Sequence, residues 1–203
     1  YKPTEGQIHF AGGELTSITN ISEMNTYRRQ MQMIFQDPFS SLNPRMRVMD
    51  IVAEPIRFHK LATSRGEVRQ IVIDLLEHVG LGAAAARRYP HEFSGGQRQR
   101  IAIARALAPE PKLIIADEPV SALDVSIQSQ ILNLLLDLRN DLGLTMIFIS
   151  HDLSVVRYIA DDIAVMYGGK IVEYGNGEEV FHNPKDEYTK RLLSAIPHFN
   201  ATA

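Results

Sequence analysis

Apolar residues along this chain form two kinds of pattern, short compact runs and longer stretches with a helical period. The compact runs are rich in β-branched or bulky side chains and end at turn formers, which predicts β-strands. The Gly168-Gly169 pair between the last two runs predicts a hairpin turn. The predicted strands are Gln7–Phe10, Met31–Phe35, Lys112–Asp117, Thr145–Ile149, Ile163–Tyr167 and Lys170–Tyr174.

The clearest helical stretch is Ile127–Leu142, where apolar residues recur on one face of the helix and Gly143 ends the pattern. The tail, 183–197, predicts a turn and one short helix. The other predicted helices lie within Val48–Val79, over Ser94–Ala108 and in a segment ending near Ala160. Ser64 can cap the second helical segment within Val48–Val79. Compact strands that alternate with helices predict an α/β fold, in which a parallel sheet is buried under helices on both faces.

The amino-acid composition narrows the classes of function that this chain can have. The chain has 203 residues, of which 45% are hydrophobic and 22% charged, as expected for an ordinary globular protein. The absence of cysteine excludes disulfides, thiolate zinc sites and iron–sulfur ligation within these 203 residues. A formal net charge of -3 gives no general attraction for a polyanion, so we expect no nucleic-acid partner. No apolar run approaches the roughly 18 residues that a membrane span needs.

Polar residues follow three of the predicted strands. In parallel sheets, ligands gather at the carboxyl ends of the strands. Asp117 and Glu118 follow one strand, and a carboxylate there suits hydrated Mg²⁺ while its neighbour can polarise a water molecule. Gln36 and His151 follow two other strands. Taken singly, Asp117 and Glu118 fit a solvated strand end equally well. For Gln36 a turn, and for His151 a structural role, is the better interpretation of the residue alone.

A glycine-rich segment, Phe93-Ser94-Gly95-Gly96-Gln97, opens one predicted helix. Glycines there let the backbone approach a ligand closely, and the free N–H groups favour an anion. The alternative is an ordinary helix capped by Ser94.

Ser150, His151 and Asp152 are consecutive in the sequence. They are not interpreted as a hydrolase triad, because triad residues meet in space rather than as sequence neighbours.

The order of these polar segments resembles the nucleotide-binding domain of ABC transporters. That resemblance implies a P-loop NTPase-like fold of α/β class, with a helical subdomain over 44–106 and a tail over 183–203. Phe93 stands where the family's signature normally has leucine. The matching segments are Gln36 (Q-loop), Phe93–Gln97 (signature), Leu113–Glu118 (Walker B), Ser121–Asp124 (D-loop) and His151 (switch histidine).

The resemblance also implies roles for single residues. Glu118 is the expected general base, and His151 is expected to contact the γ-phosphate. Asp117 is expected to hold Mg²⁺ through water, and Gln36 to sense the metal and the attacking water. The residues expected to bind ATP are Gln36, Ser94, Gly95, Gly96, Gln97 and Asp124, the last of which also couples two ATP sites.

Three segments have a narrower resemblance, to the ATPase subunits of dipeptide and oligopeptide importers. They are Asp37–Pro44, Val120–Ser126 and the tail from Asn183 to Leu193. The resemblance implies a head-to-tail pair with a second ABC ATPase subunit. It also implies that the stretch 48–87 docks a membrane permease at the cytoplasmic face, with an extracytoplasmic peptide-binding protein as an indirect partner.

The sequence contains no match to the P-loop pattern G-x-x-x-x-G-K-[ST]. The nearest fragment, Gly169-Lys170-Ile171, lacks the hydroxyl residue. We therefore expect the chain to start just after a P-loop, to lack a core strand beside Leu113–Asp117, and to hydrolyse ATP weakly or not at all alone. Two alternatives stay open: a soluble ABC-type ATPase of DNA repair or translation, and a non-catalytic module that lends its signature motif to a partner.

Overall fold

A computed structural model describes residues 3–195 of the chain. The predicted tail therefore lies partly outside the described residues, from 196 onward. The strands are β1 (His9–Phe10), β2 (Gly13–Glu14), β3 (Met31–Ile34), β4 (Leu113–Asp117), β5 (Thr145–Ile149), β6 (Asp162–Tyr167) and β7 (Lys170–Asn176). The α-helices are α1 (Ile21–Gln30), α2 (Pro38–Ser41), α3 (Val48–Phe58), α4 (Arg65–His78), α5 (Gly95–Leu107), α6 (Val125–Leu142), α7 (Leu153–Ile159), α8 (Gly177–His182) and α9 (Glu187–Ser194).

The elements predicted in the middle of the chain are confirmed, and the first strand is shorter than predicted. Only His9–Phe10 of the predicted strand 7–10 pairs, with β2 across a tight turn. The helices α1, α2 and α8 were not predicted. Helix α1 has no buried residue, so it lacks the apolar face by which such a helix is recognised in a sequence.

The central sheet has the strand order β3-β4-β5. Strands β3 and β4 are parallel, with Met31 opposite Leu113 and Ile34 opposite Ala116. Because β4 has a neighbour on each side, the expectation of a missing strand beside it is wrong. Parallel pairing places the carboxyl ends of β3 and β4 at one edge, and this arrangement brings the candidate site residues together.

Strand β5 is not buried as the sequence predicted. Alternate residues are open to solvent, with Ile147 49% and Ile149 45% exposed. A compact apolar run shows that a strand is favoured, but only the packing partners decide whether both faces are covered. The prediction of burial on both faces is therefore wrong for β5.

Helices α3, α4 and α5 contribute a tightly buried apolar core. Val52 and Leu76 are fully buried, as are Ile101 and Ile103 on α5. The predicted cap of α4 is confirmed, because the Ser64 hydroxyl accepts a hydrogen bond from the Glu67 amide at 3.1 Å. The core positions the glycine-rich start of α5 at the end of a rigid helix. In the described range 3–195, no helix is both long and apolar enough to cross a bilayer.

The chain divides into two compact units between Ile147 and Phe148. In the second unit, β6 and β7 form the predicted antiparallel hairpin, and Gly168 and Gly169 both adopt positive φ angles in its turn. Its apolar cluster centres on Ile163, Val165 and Val180.

Glu173 is a buried carboxylate in this second unit. It accepts hydrogen bonds from the backbone amides of Lys185 at 2.8 Å and Asp186 at 3.1 Å. Burial raises the pKa of the Glu173 carboxyl, but these bonds and the nearby Thr189 side chain outweigh burial and hold the pKa below its ordinary value. A lowered carboxyl pKa stabilises the fold above the unfolded-state pKa, and this stability is lost as pH falls through the folded-state pKa.

Replacing Glu173 by Gln is expected to lower the free energy of unfolding of this unit at neutral pH. The loss should be about 1–3 kcal/mol, because the charged acceptor of two amides is removed. The difference from the unsubstituted chain should shrink as pH falls through the folded-state pKa of Glu173. Amide exchange at Lys185 and Asp186, followed against pH, measures this directly. The exposed Glu178→Gln is the control, and equal exchange rates for both variants would contradict the expectation.

Candidate functional site

The polar residues after β3 and β4 meet at the edge of the central sheet. The register continues from Ile34 opposite Ala116, so Gln36 and Glu118 reach the same level. The Gln36 amide nitrogen, Nε2, donates a hydrogen bond to Glu118 Oε2 at 2.7 Å. Two residues separated by 82 positions, both selected from the sequence as site candidates, are therefore in direct contact.

Glu118 adopts a left-handed backbone conformation, with φ at +45°. This region is rare for residues other than glycine and costs of order 1–3 kcal/mol, so the surrounding structure must fix it. Ser121 supplies part of that support, because its backbone amide and hydroxyl both donate to the Glu118 carbonyl, at 3.2 and 3.1 Å. Strained backbone of this kind is concentrated at functional sites, which supports the selection of Glu118.

Asp117 is the last residue of β4 and is half-buried. The donor chemistry here fits Mg²⁺, since Asp117 offers carboxylate oxygens. The amide nitrogen of Gln36 is bonded to Glu118, which leaves its oxygen as the atom that can face a cation. Within residues 3–195, no group of three or more His, Cys, Asp or Glu side chains could hold a metal ion. Mg²⁺ is usually bound by one or two carboxylates together with waters and substrate phosphates.

The loop from Glu118 to Asp124 is held by a residue that the sequence did not indicate. The Gln128 side chain donates to the carbonyls of Val120 at 3.1 Å and Leu123 at 2.9 Å. A half-buried glutamine within the first turn of α6 was the available signal, but its acceptors become visible only in the folded loop. Asp124 precedes α6, is exposed and does not cap the helix with its side chain.

Ser94 and Gln97 form a capping box at the start of α5. The Ser94 hydroxyl accepts from the Gln97 amide at 3.4 Å, and Gln97 Oε1 accepts from the Ser94 amide at 3.1 Å. The glycine-rich segment is therefore a capped helix start, as its simpler interpretation held. The capping box leaves the anion-binding interpretation open, because both capping side chains are exposed at the helix N-terminus.

His151 lies in the second unit, in the turn between β5 and α7, and is exposed. Its neighbour Asp152 caps α7. The Asp152 amide donates to Ser150 Oγ at 3.0 Å, and Asp152 Oδ1 accepts from the Ser154 amide at 2.9 Å. These local bonds agree with the rejection of a Ser-His-Asp triad. In the first unit, the structure brings Gln36, Asp117, Glu118 and the loop up to Asp124 together.

A parallel α/β sheet with polar side chains gathered at the carboxyl ends of its strands is typical of nucleotide-binding domains. The profile of the ABC transporter family matches residues 1–121, and the chain belongs to this family.

Relatives that match this chain have names that state a narrower function. The chain is 56% identical over 197 residues to the oligopeptide transport ATP-binding protein OppF of Bacillus subtilis, covering 97% of this chain and 65% of that protein. It is 54% identical over 194 residues to the dipeptide transport ATP-binding protein DppF of Lactococcus lactis, covering 96% and 62%. The chain thus spans less than two thirds of the length of these relatives.

Solved structures agree with the family assignment. The dimeric ATP-binding cassette MJ0796 in a post-hydrolysis state, bound to ADP and Pi, matches with a TM-score of 0.76 and 31% identity, over 87% of this chain and 75% of that one. Another dimeric structure of the same cassette gives a TM-score of 0.75. The predicted α/β fold is confirmed by these matches.

Proposed function

We propose that this chain is the ATP-binding part of an importer subunit that couples ATP binding and hydrolysis to the uptake of dipeptides or oligopeptides. The names of its relatives support the cargo class. The observation that carries the proposal is the hydrogen bond between Gln36 and Glu118 at the carboxyl edge of the sheet. It joins the two residues that an ABC ATPase needs around the attacking water.

Glu118 is the general base in this proposal, and the Gln36 amide fixes its carboxylate. Asp117 would hold Mg²⁺ through water, and the oxygen of Gln36 would be a further ligand. When bound, Mg²⁺ neutralises charge on the phosphates. Asp117 ends strand β4, whereas Glu118 follows it in left-handed backbone and is bonded to Gln36, so the two carboxylates can serve different atoms.

The signature residues act on the nucleotide of a second subunit. In a head-to-tail pair, Ser94, Gly95, Gly96 and Gln97 face the triphosphate that the other ATPase subunit holds with its P-loop. The dimeric form of the structural relative supports such a pair. Asp124 couples the two sites, and His151 contacts the γ-phosphate.

A groove in the helical part of the first unit supports docking of a membrane permease by the stretch 48–87. Its volume is 920 Å³, and its walls combine apolar side chains with five arginines and one aspartate. Such a surface suits an amphipathic segment that carries acidic residues. The subunit is then peripheral at the cytoplasmic face of the membrane, and an extracytoplasmic peptide-binding protein acts through the permease. The lining residues are Arg47, Met49, Asp50, Arg57, Arg65, Val68, Arg69, Ile73, Ala83, Ala84, Ala86 and Arg87.

Mixing the chain with an intact oligopeptide-type ABC cassette tests the proposal. The partner supplies a P-loop and this chain supplies the signature, so ATP turnover is expected to rise on mixing. Ser94→Arg should reduce this increase in ATP turnover about a hundredfold, because the long side chain displaces the donors that face the phosphates. Ser22→Arg, at an exposed position of α1, is the matched control. No rise with the unsubstituted chain, or equal turnover for both variants, would contradict the proposal.

A non-catalytic module that only lends its signature motif is the second candidate. It is favoured by the Ser94-Gly95-Gly96 segment at the start of α5, which is the part that such a module would contribute. ATP titration of the chain alone separates the two. Tight Mg²⁺-dependent binding would exclude the lending-only role.

A further inference from the structure

Gly96 lies where α5 and α6 come into contact. It is buried, and a Cβ atom added there would lie closer than 3.0 Å to Ile127 Cγ2, inside the limit of real Cβ contacts. At the preceding glycine, Gly95, an added Cβ would lie 3.3 Å from Leu123 Cδ2. The φ angle of Gly96 is not positive, so its backbone conformation does not require glycine. The close contact with Ile127 is what requires glycine at position 96.

The other side of this contact is held in place by hydrogen bonds. The Ile127 amide donates to the Asp124 carbonyl at 2.9 Å, and Gln128 holds the loop by two further bonds. Ser121 closes the turn that begins at Glu118. Packed contacts and hydrogen bonds therefore run without a break from the base candidate Glu118, through the loop, to the signature glycine.

We infer that Ile127 is a positioning residue that sets the place of the signature turn relative to the loop 118–124. This inference rests on the proposed function, under which Glu118 and Ser94 of one chain serve different ATP sites of the pair. The Ile127 methyl fills the space left by the absent Gly96 side chain. A shift of the loop at one site then moves the signature turn that completes the other site.

Two reasons for a glycine at 96 make opposite predictions. If close approach to phosphate requires it, any side chain at 96 blocks activity whatever residue stands at 127. If the contact with Ile127 requires it, Gly96→Ala should be rescued by Ile127→Ala, which removes the methyl that the new Cβ meets. Ile127→Val keeps Cγ2 and should behave as the unsubstituted chain.

The test measures stimulation of an intact partner cassette and, separately, the thermal unfolding midpoint of each variant of the full chain. Gly96→Ala should lower maximal stimulated turnover about tenfold and lower the midpoint, because the overpacked contact forces the helices apart. The Gly96→Ala/Ile127→Ala pair should recover most of both losses. Ile127→Ala alone should lower maximal turnover several-fold while the KM for ATP stays unchanged, and Ile127→Val should restore it. Gly66→Ala, whose Cβ meets only Ser64 Oγ at 3.9 Å, is the matched control.

The outcomes separate the inference from the function. Recovery of the midpoint without recovery of turnover would overturn the positioning role and leave only packing. No recovery of the midpoint in the double variant would overturn the contact itself. If the unsubstituted chain gives no stimulation, the proposed function fails and the positioning role falls with it, while the midpoints still decide whether the contact exists.

Discussion

Replacing Glu118 by Gln is expected to lower ATP turnover by about 10²–10⁴-fold while nucleotide binding is retained. The assay needs a polypeptide in which this chain follows a P-loop segment, so that both halves of the hydrolytic site are present. Glutamine can still bond to Gln36, so the contact at 2.7 Å need not be lost. The substitution removes the charge and basicity that activate water, and leaves the surrounding geometry in place.

Turnover and ATP affinity, measured on the same preparation, separate the base role from a structural one. Glu110→Gln is the control, since this glutamate is exposed and its carboxylate lies 3.7 Å from the Arg29 guanidinium. Retention of more than half of the turnover in Glu118→Gln would remove Glu118 from the role of base. Loss of binding together with turnover would show instead that the carboxylate holds the site together.

The positions of the candidate site residues could be predicted best where polar residues stand at the end of a strand. Gln36 and Asp117-Glu118 could be selected because β3 and β4 are compact apolar runs, and parallel pairing obliges their ends to meet. A different, local signal placed Ser94 at a helix start, because a capping side chain can be recognised without any tertiary contact. Local patterns and simple sheet geometry were sufficient for these residues.

Tertiary packing decided what the sequence could not predict. The left-handed backbone at Glu118 depends on bonds from Ser121, and the role of Gln128 depends on carbonyls presented by a folded loop. The exposure of Ile147 on β5 has the same origin, because an apolar run does not state which of its faces finds a partner. These features depend on contacts between different segments of the chain, so the periodic pattern within one segment does not predict them.

Phe93 departs from the leucine usual at the first signature position, and its surroundings explain how the larger ring is accommodated. The side chain is only 4% exposed, and the Arg88 guanidinium lies over its ring at 4.1 Å from the centroid. The position is therefore a packing anchor that holds Ser94, the next residue, at the start of α5. An aromatic ring under a cation gains an attraction that leucine cannot provide.

Replacing Phe93 by Ala is accordingly expected to lower the free energy of unfolding by about 3–5 kcal/mol, because a buried ring is lost and a cavity is left. Phe93→Leu should cost less than about 1.5 kcal/mol, since most of the volume is kept, and stimulation of the partner cassette should survive. Denaturant unfolding of the first unit measures both, with Phe58→Ala as control at a ring that is 63% exposed. Loss of stimulation in Phe93→Leu at unchanged stability would mean that the ring acts on the nucleotide site itself, beyond anchoring Ser94.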